Sequence, residues 1–424
     1  MNKKILVRTY KVGCGDCIFI RVPDANRLYH ILIDCGNFFG DSSSELKSAV
    51  NDIEVSLNDP LVVPENQRGK LDLLVATHQH WDHIKGFEAA VKTFKRIKID
   101  RIWLSIGMKK DHPKTKQLHA LQKQVDKTFV KLKKDFGLML TPSLNALLEM
   151  MSLSTQKATE MLCDDLPTYH GIDAAYVYRG FEKNLSTEEK KKYLIEFEDP
   201  SIKLHILAPE YDVDDSYVKN AFSALTDLEA GENCIYELIP EKKRIESPVN
   251  ISMGQFRQLK TQLMYASLLA VSLSNEVVNN TSVVLLLEWR NKRLLFPGDA
   301  EHHSWELMWQ NAQAELSSPL NFLKVSHHGS HNGTPYNLND KNDSINAILD
   351  KLLPKDNASN AKAVVSTLAG RIHAVHNPVP LLNLMNELAS RVENKNEYFP
   401  EVGGQPQRTD KETEGDWIDF EFPS

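Results

Sequence analysis

Leu71-Asp72-Leu73-Leu74-Val75-Ala76-Thr77 runs directly into His78-Gln79-His80-Trp81-Asp82-His83. The first stretch is an apolar run of the length of a buried strand, and the second packs four metal-capable side chains into one short loop. In a loop leaving a strand, alternate residues point the same way, so His78 and His80 can share one metal ion. Asp82 and His83 then turn toward a second position a few ångströms away. Neutral imidazoles with a carboxylate suit Zn²⁺, and also Mn²⁺ or Fe²⁺. The competing reading, a solvent-exposed polar loop, needs four ligand types at this spacing by accident.

Outward from this point the first third of the chain reads as strands. Ile5 to Tyr10 and Cys17 to Val22 are alternating or continuously apolar, with the tight turn Val12-Gly13-Cys14-Gly15-Asp16 between them. His30-Ile31-Leu32-Ile33-Asp34 is a buried-strand run ended by Cys35-Gly36, and Phe87 to Phe94 has helical periodicity. The middle differs. Lys114 to Phe136, Thr141 to Cys163 and Gln255 to Val277 read as helices, with the strand Ile202 to Leu207 closed by Ala208-Pro209. Strands resume at Thr281 to Trp289, Arg293 to Phe296, Asn321 to Val325 and Ala363 to Thr367, and Trp417 to Phe422 alternates like a last edge strand.

Three later clusters share one feature: each follows a strand. Asp299 comes after Leu294-Leu295-Phe296-Pro297-Gly298, where glycine lets the backbone turn sharply and present a carboxylate. Its two oxygens can bridge a pair of metals about 3.5–4 Å apart. His327 and His328 follow Leu323-Lys324-Val325, and His373 and His376 precede Asn377-Pro378. A single such histidine is more often a surface residue than a ligand. All of them at strand ends form a pattern.

Composition bounds the class. The chain has 424 residues, 42% hydrophobic and 25% charged, which is ordinary for a soluble globular protein and long enough for two or three domains. No run approaches the roughly 18 apolar residues of a membrane helix. No signal-peptide core follows the basic start, so a cytoplasmic location is expected. Five cysteines, an odd and scattered set, argue against a disulfide framework; Cys14-Gly15-Asp16-Cys17 reads as two strand-edge thiols. The net charge of −7 does not advertise a nucleic-acid binder, yet Val91 to Asp135 carries fourteen Lys/Arg against four Asp. That segment could track a phosphate backbone or be the solvated face of a long helix.

The strand-and-helix order suggests two sheets packed face to face and covered by helices. With these motifs the chain resembles the metallo-β-lactamase superfamily, whose H-x-H-x-D-H signature stands here as His78 to His83. More closely it resembles the ComEC-like branch, through Val12 to Cys17, Ile31 to Gly36, Asn280 to Val284, Leu295 to Glu301, Leu323 to Ser330 and His376-Asn377-Pro378. The match covers about residues 1–90, 200–210 and 280–390. The resemblance implies an α+β fold, a four-layer αββα metallo-β-lactamase sandwich with a helical insertion. Residues 1–110 would supply its N-terminal half, 111–200 a helical insertion or cap, and 201–392 its C-terminal half, with a further helical insertion at about 212–278. Residues 393–424 would be an acidic tail with a last strand.

Carried over residue by residue, the resemblance gives His78 and His80 one metal, Asp82, His83 and His376 the other, and makes Asp299 the bridge. One or two ions, Zn or Mn, are implied. One of His327 and His328 would lie over the substrate as acid or charge stabiliser, or serve as a ligand. Lys324 and Ser330 would meet substrate. The superfamily usually supplies a third histidine near a strand followed by proline, where this chain has Ala208, and His205 lies on the opposite face by alternation; the first metal would then be under-coordinated, weakly held, or completed by water or by His170 from the insertion, and a single-metal centre is an alternative. Cys14 replaces a glutamine usual in the first turn.

The implied chemistry is hydrolysis of a phosphodiester, with Asp82, His327 and His328 as catalytic groups and DNA as the leading substrate. A small-molecule hydrolase acting on an ester, a lactone or a cyclic nucleotide is the alternative, and a binding module with a decayed centre is the third reading. A protein partner in a multi-component system is left open, as is the oligomeric state; no membrane partner is expected.

Overall fold

The computed structural model describes residues 3–37, 43–123, 155–219, 274–340, 343–367, 380–393 and 416–424. The chain divides into two compact units: residues 1–109, 154–211 and 279–424 form one, and residues 110–153 and 212–278 the other.

The larger unit holds two mixed sheets. In the first, β1 (Lys4–Tyr10), β2 (Cys17–Pro23) and β3 (Leu28–Cys35) are antiparallel neighbours. β5 (Leu73–Ala76), β7 (Ile102–Ser105) and β8 (Ala174–Val177) continue it in parallel from β3, and β14 (Trp417–Pro423) pairs antiparallel with β1 at the other edge. A short parallel pair, β4 (Lys70–Leu71) and β6 (Lys98–Ile99), lies beside it. The second sheet has the order β13 (Lys362–Val364), β12 (Phe322–Lys324), β11 (Lys292–Phe296), β10 (Val284–Trp289), β9 (Ile202–Ala208). The α+β class is therefore as expected. The expectation for 111–200 needs correcting, because residues 155–211 belong to the larger unit and Ala174–Val177 is an edge strand of its first sheet.

Unbroken apolar runs in the sequence are explained by sheets covered on both faces. Phe19, Leu32, Leu74 and Ala76 pack against α1 (Ser43–Asn58), α2 (Trp81–Ala89) and α3 (Val91–Arg96) through Leu46, Ile53, Ile84, Phe87 and Phe94. Their strand neighbours Ile18, Ile20, Ile31, Ile33, Leu73 and Val75, on the other face, are buried too. In the second sheet Leu286, Leu295 and Leu323 meet α4 (His302–Asn311), α5 (Asn346–Leu352) and α6 (Leu382–Ala389) through Trp305, Met308, Leu349 and Leu388. On its opposite face the Phe322 ring lies 5.1 Å from Phe420 and 5.9 Å from Phe422 of β14. Each fully buried aliphatic or phenylalanine side chain contributes roughly 1.5–3 kcal/mol relative to exposure.

β14 is anchored to β1 by more than its ladder. The Arg8 guanidinium donates to both oxygens of Asp419 at 2.8 Å, reaches Asp52 of α1, and stacks 4.2 Å from the Trp417 ring. In the smaller unit, the Asp214 carboxylate accepts from the Gln117 and Leu118 backbone N–H groups at 3.0–3.1 Å. No helix among the described residues is long and apolar enough to cross a membrane.

Candidate metal centre

β5 ends at Ala76, and Thr77 carries the chain across to His80, the N-cap of α2. Asp82 and His83 therefore sit in the first helical turn, where a carboxylate also suits the positive end of the helix. The turns after β1 and β3 cradle this backbone. Asp16 N–H donates to the Asp82 carbonyl at 3.0 Å, and Gly36 N–H donates to the Asp16 carbonyl at 2.9 Å. A Cβ on Gly36 would fall 2.3 Å from both Asp82 C and His83 N, so only glycine allows this approach.

The second sheet brings the partners. Gly298, at φ 56°, ends the β11 segment in the left-handed region and a Cβ there would lie 2.9 Å from Thr77 Cβ. Asp299 follows, its N–H donating to Ser282 Oγ at 3.1 Å; that hydroxyl is also 3.2 Å from His78 Nδ1. After β12, His327 and His328 both adopt left-handed backbone, φ 45° and 51°. Such conformations cost non-glycine residues about 1–2 kcal/mol each and persist where surroundings dictate them.

The result is a cluster. Asp82, His83, Asp299 and His328 each offer a ligand atom, all within 4.8 Å of one another. His83 Nε2 is 3.1 Å from Asp299 Oδ2, and His328 Nε2 is 3.0 Å from Asp82 Oδ2 and 3.7 Å from Asp299 Oδ2. Each imidazole is oriented from behind: His83 Nδ1 lies 2.8 Å from Asp34 Oδ2, and His328 Nδ1–H donates to the Ser366 carbonyl at 2.7 Å. Asp34, itself at φ 57°, is pinned by Thr77, whose N–H and Oγ1–H donate to its two oxygens at 2.7 Å. His78 and His80 adjoin, with His78 Nε2 2.9 Å from His80 Nδ1 and the His78 and His83 rings 4.1 Å apart.

Electrostatics fit a cation. Burial pushes the Asp299 and Asp82 carboxyls up, but His83 and His328 outweigh it and hold both well below the usual carboxylate range. Burial pulls His83 down, yet Asp299, Asp34 and Asp82 raise it far above its ordinary value. A group of carboxylates that raises the proton affinity of an imidazole this strongly attracts cations generally. Burial pushes His78 and His80 down, leaving neutral rings with a lone pair to offer. Asp299 Oδ1 is buried with no hydrogen-bond partner among the described residues, an acceptor still free for an ion. Donor set, spacing and orphaned oxygen together fit a divalent cation.

Several expectations change. His327 stands outside the cluster: its Nδ1 lies 3.1 Å from Glu301 Oε1 and its Nε2 3.4 Å from Asn279 Nδ2. Burial pulls it down, but Glu301 and Asp299 hold it at about 9. The histidine in the cluster is His328. Lys324, expected to meet substrate, is 1% exposed with Nζ 2.5 Å from Asp16 Oδ2. Ser330 is also buried, its hydroxyl donating to Asn332 Oδ1 at 2.9 Å. His170 is no substitute ligand; its Nε2 lies 3.2 Å from the Phe94 carbonyl on α3. Ala208 is buried before a cis-proline, His205 pairs with Glu288 at 3.2 Å, and β9 adds no ligand to the cluster. His373 and His376 lie outside the described residues, as does the lysine-rich run after Lys123. Asp34, Asp16 and Glu301 were not singled out from sequence, although a carboxylate closing the apolar run Ile31-Leu32-Ile33 is a signal for Asp34.

A cavity of about 380 Å³ lies elsewhere, along β9, lined by Trp103, Arg179, Lys203 and His205 among others, and contains none of the cluster residues. No family model matches the chain, and no curated protein proves similar to it.

Proposed function

We propose that the chain is a metal-dependent hydrolase of phosphodiesters, built on a metallo-β-lactamase sandwich of the ComEC-like branch. The observation that carries this reading is the convergence of Asp82 and His83 from α2, Asp299 after β11 and His328 after β12 within 4.8 Å. The sheets support the fold half of the proposal. Each lies under helices on one face, and Phe322 meets Phe420 and Phe422 on the other, as a four-layer αββα order requires.

A divalent cation, Zn²⁺ or Mn²⁺, would supply a Lewis acid there and lower the pKa of water toward neutrality. Asp82, His83, Asp299 and His328 are the residues to hold it, with His78 and His80 adjoining. Asp34 fixes the His83 ring so that Nε2 faces Asp299. In this reading Asp82 helps to hold the attacking water. His327, 28% exposed at its side chain and backed by Glu301, is placed to give a proton to the departing alkoxide.

DNA leads as substrate by resemblance. One observation favours the second reading, a small-molecule ester, lactone or cyclic nucleotide: the cation expected to meet a phosphate chain, Lys324, is buried against Asp16. The nuclease and the small-phosphodiester readings both predict turnover of a chromogenic phosphodiester with added Mn²⁺ or Zn²⁺. Asp299→Asn should reduce it by about a hundredfold or more, the scale of removing one preorganised stabilising group. Nuclease activity should fall with salt while small-ester turnover should not. Equal, metal-independent rates in wild type and Asp299→Asn would refute the proposal.

A further inference from the structure

Asp16, Asp34 and His83 form a second group of buried ligand-type atoms within 4.8 Å of one another. Its donor set is that of a metal site, but one member, Asp16, is already paired with a cation, Lys324. Phe322 and Lys324 are two residues apart on β12 and share a face. Phe322 meets the first sheet at β14, and Lys324 reaches the same sheet at Asp16, just before β2. The ion pair is 2.5 Å long, and its two side chains are 1% and 2% exposed. Two buried charges so placed depend on each other, because either alone would be uncompensated in a low-dielectric interior.

We infer that Lys324 is the built-in cation of this group: its ammonium neutralises Asp16 and thereby keeps a further divalent ion from binding between the Asp16 and Asp34 carboxylates. This rests on the metal reading above. Both carboxylates lie on the Nδ1 side of His83. Asp34 Oδ2 is 2.8 Å from Nδ1, whereas Asp16 Oδ2, held by the ammonium, stays at 4.0 Å. Asp16 Oδ1 is buried with no hydrogen-bond partner among the described residues, so an acceptor would be available once the ammonium is gone. Burial pulls Lys324 down, but Asp16 and Asp299 hold it above its ordinary value, so it stays charged. Lys324 is thus a positioning residue that acts through Asp16, and its role is to set how many ions the centre accepts.

The test is the number of Mn²⁺ ions bound per full-length chain, read by calorimetric titration and elemental analysis. Wild type, Lys324→Met and Lys324→Met/Asp16→Asn are compared. Lys324→Met should bind one more Mn²⁺ than wild type, and the double variant should return to the wild-type number. Equal numbers in wild type and Lys324→Met would overturn the inference, as would an extra ion in the double variant. Should Lys324→Met fold poorly, Mn²⁺ should restore its thermal transition; a chain that stays unfolded in excess Mn²⁺, or a neutral pair that does not fold, also overturns it. Wild type binding no Mn²⁺ at all would instead strike the metal reading itself.

Discussion

Two turns deliver ligands to the same cluster by opposite means. The first turn of α2 presents Asp82 and His83 on regular helical backbone, held from outside by the Asp16 and Gly36 turns. The turn after β12 presents His328 on left-handed backbone, with His327 beside it in the same region. In one region the surroundings are shaped around an unstrained segment; in the other the segment is strained to meet its surroundings. A centre assembled from distant pieces needs both, because the relaxed piece sets the position and the strained piece closes it.

The largest expected effect comes from disturbing the relaxed side. Gly36→Ala would place a methyl 2.3 Å from Asp82 C and His83 N, atoms of backbone that cannot rotate away. We expect a loss of about 3 kcal/mol in urea unfolding, at the upper end for overpacking, together with loss of Mn²⁺ binding. Wild-type stability would show that the cradle is not tight.

A control away from both turns is His30, buried on β3 and stacked 5.7 Å from Phe19. Burial, with Arg21 nearby, pushes it down to about 3. Its folded value lies below the ordinary 6.5, so its contribution is complete above pH 6.5 and is lost as pH falls toward 3. The loss is up to about 1.4 kcal/mol per pH unit in that window. His30→Leu should flatten the acid limb of stability against pH; parallel curves for the two proteins would contradict this.

The smallest effect tests the contrast itself. At position 328, with φ 51°, His328→Gly should be more stable than His328→Ala by about 1 kcal/mol, since alanine keeps the left-handed strain. At position 82, inside a helix, the order should reverse by roughly 0.5–1 kcal/mol. The same sign at both positions would erase the distinction between the turns.

That distinction also explains what the sequence made legible. Strands such as β1, β3 and β10 follow from apolar runs, and the His78–His83 loop follows from ligand spacing. β7 and β8 carry only four residues each, the first within a lysine-rich stretch and the second between helical segments, too short for a period to show. Which of His327 and His328 joins the cluster depends on two left-handed residues, and a pattern of residue types does not encode φ. Lys324 looked like a phosphate contact because lysine is seldom buried; its counter-charge, Asp16, lies far away in sequence and meets it only once the sheets pack.

The most direct test of the central claim is anomalous scattering from crystals of the protein grown with Zn²⁺. The account predicts a peak about 2.0–2.2 Å from ligand atoms of Asp82, His83, Asp299 or His328, the zinc–nitrogen and zinc–oxygen range. Zinc found only at other residues, or at none, would contradict it.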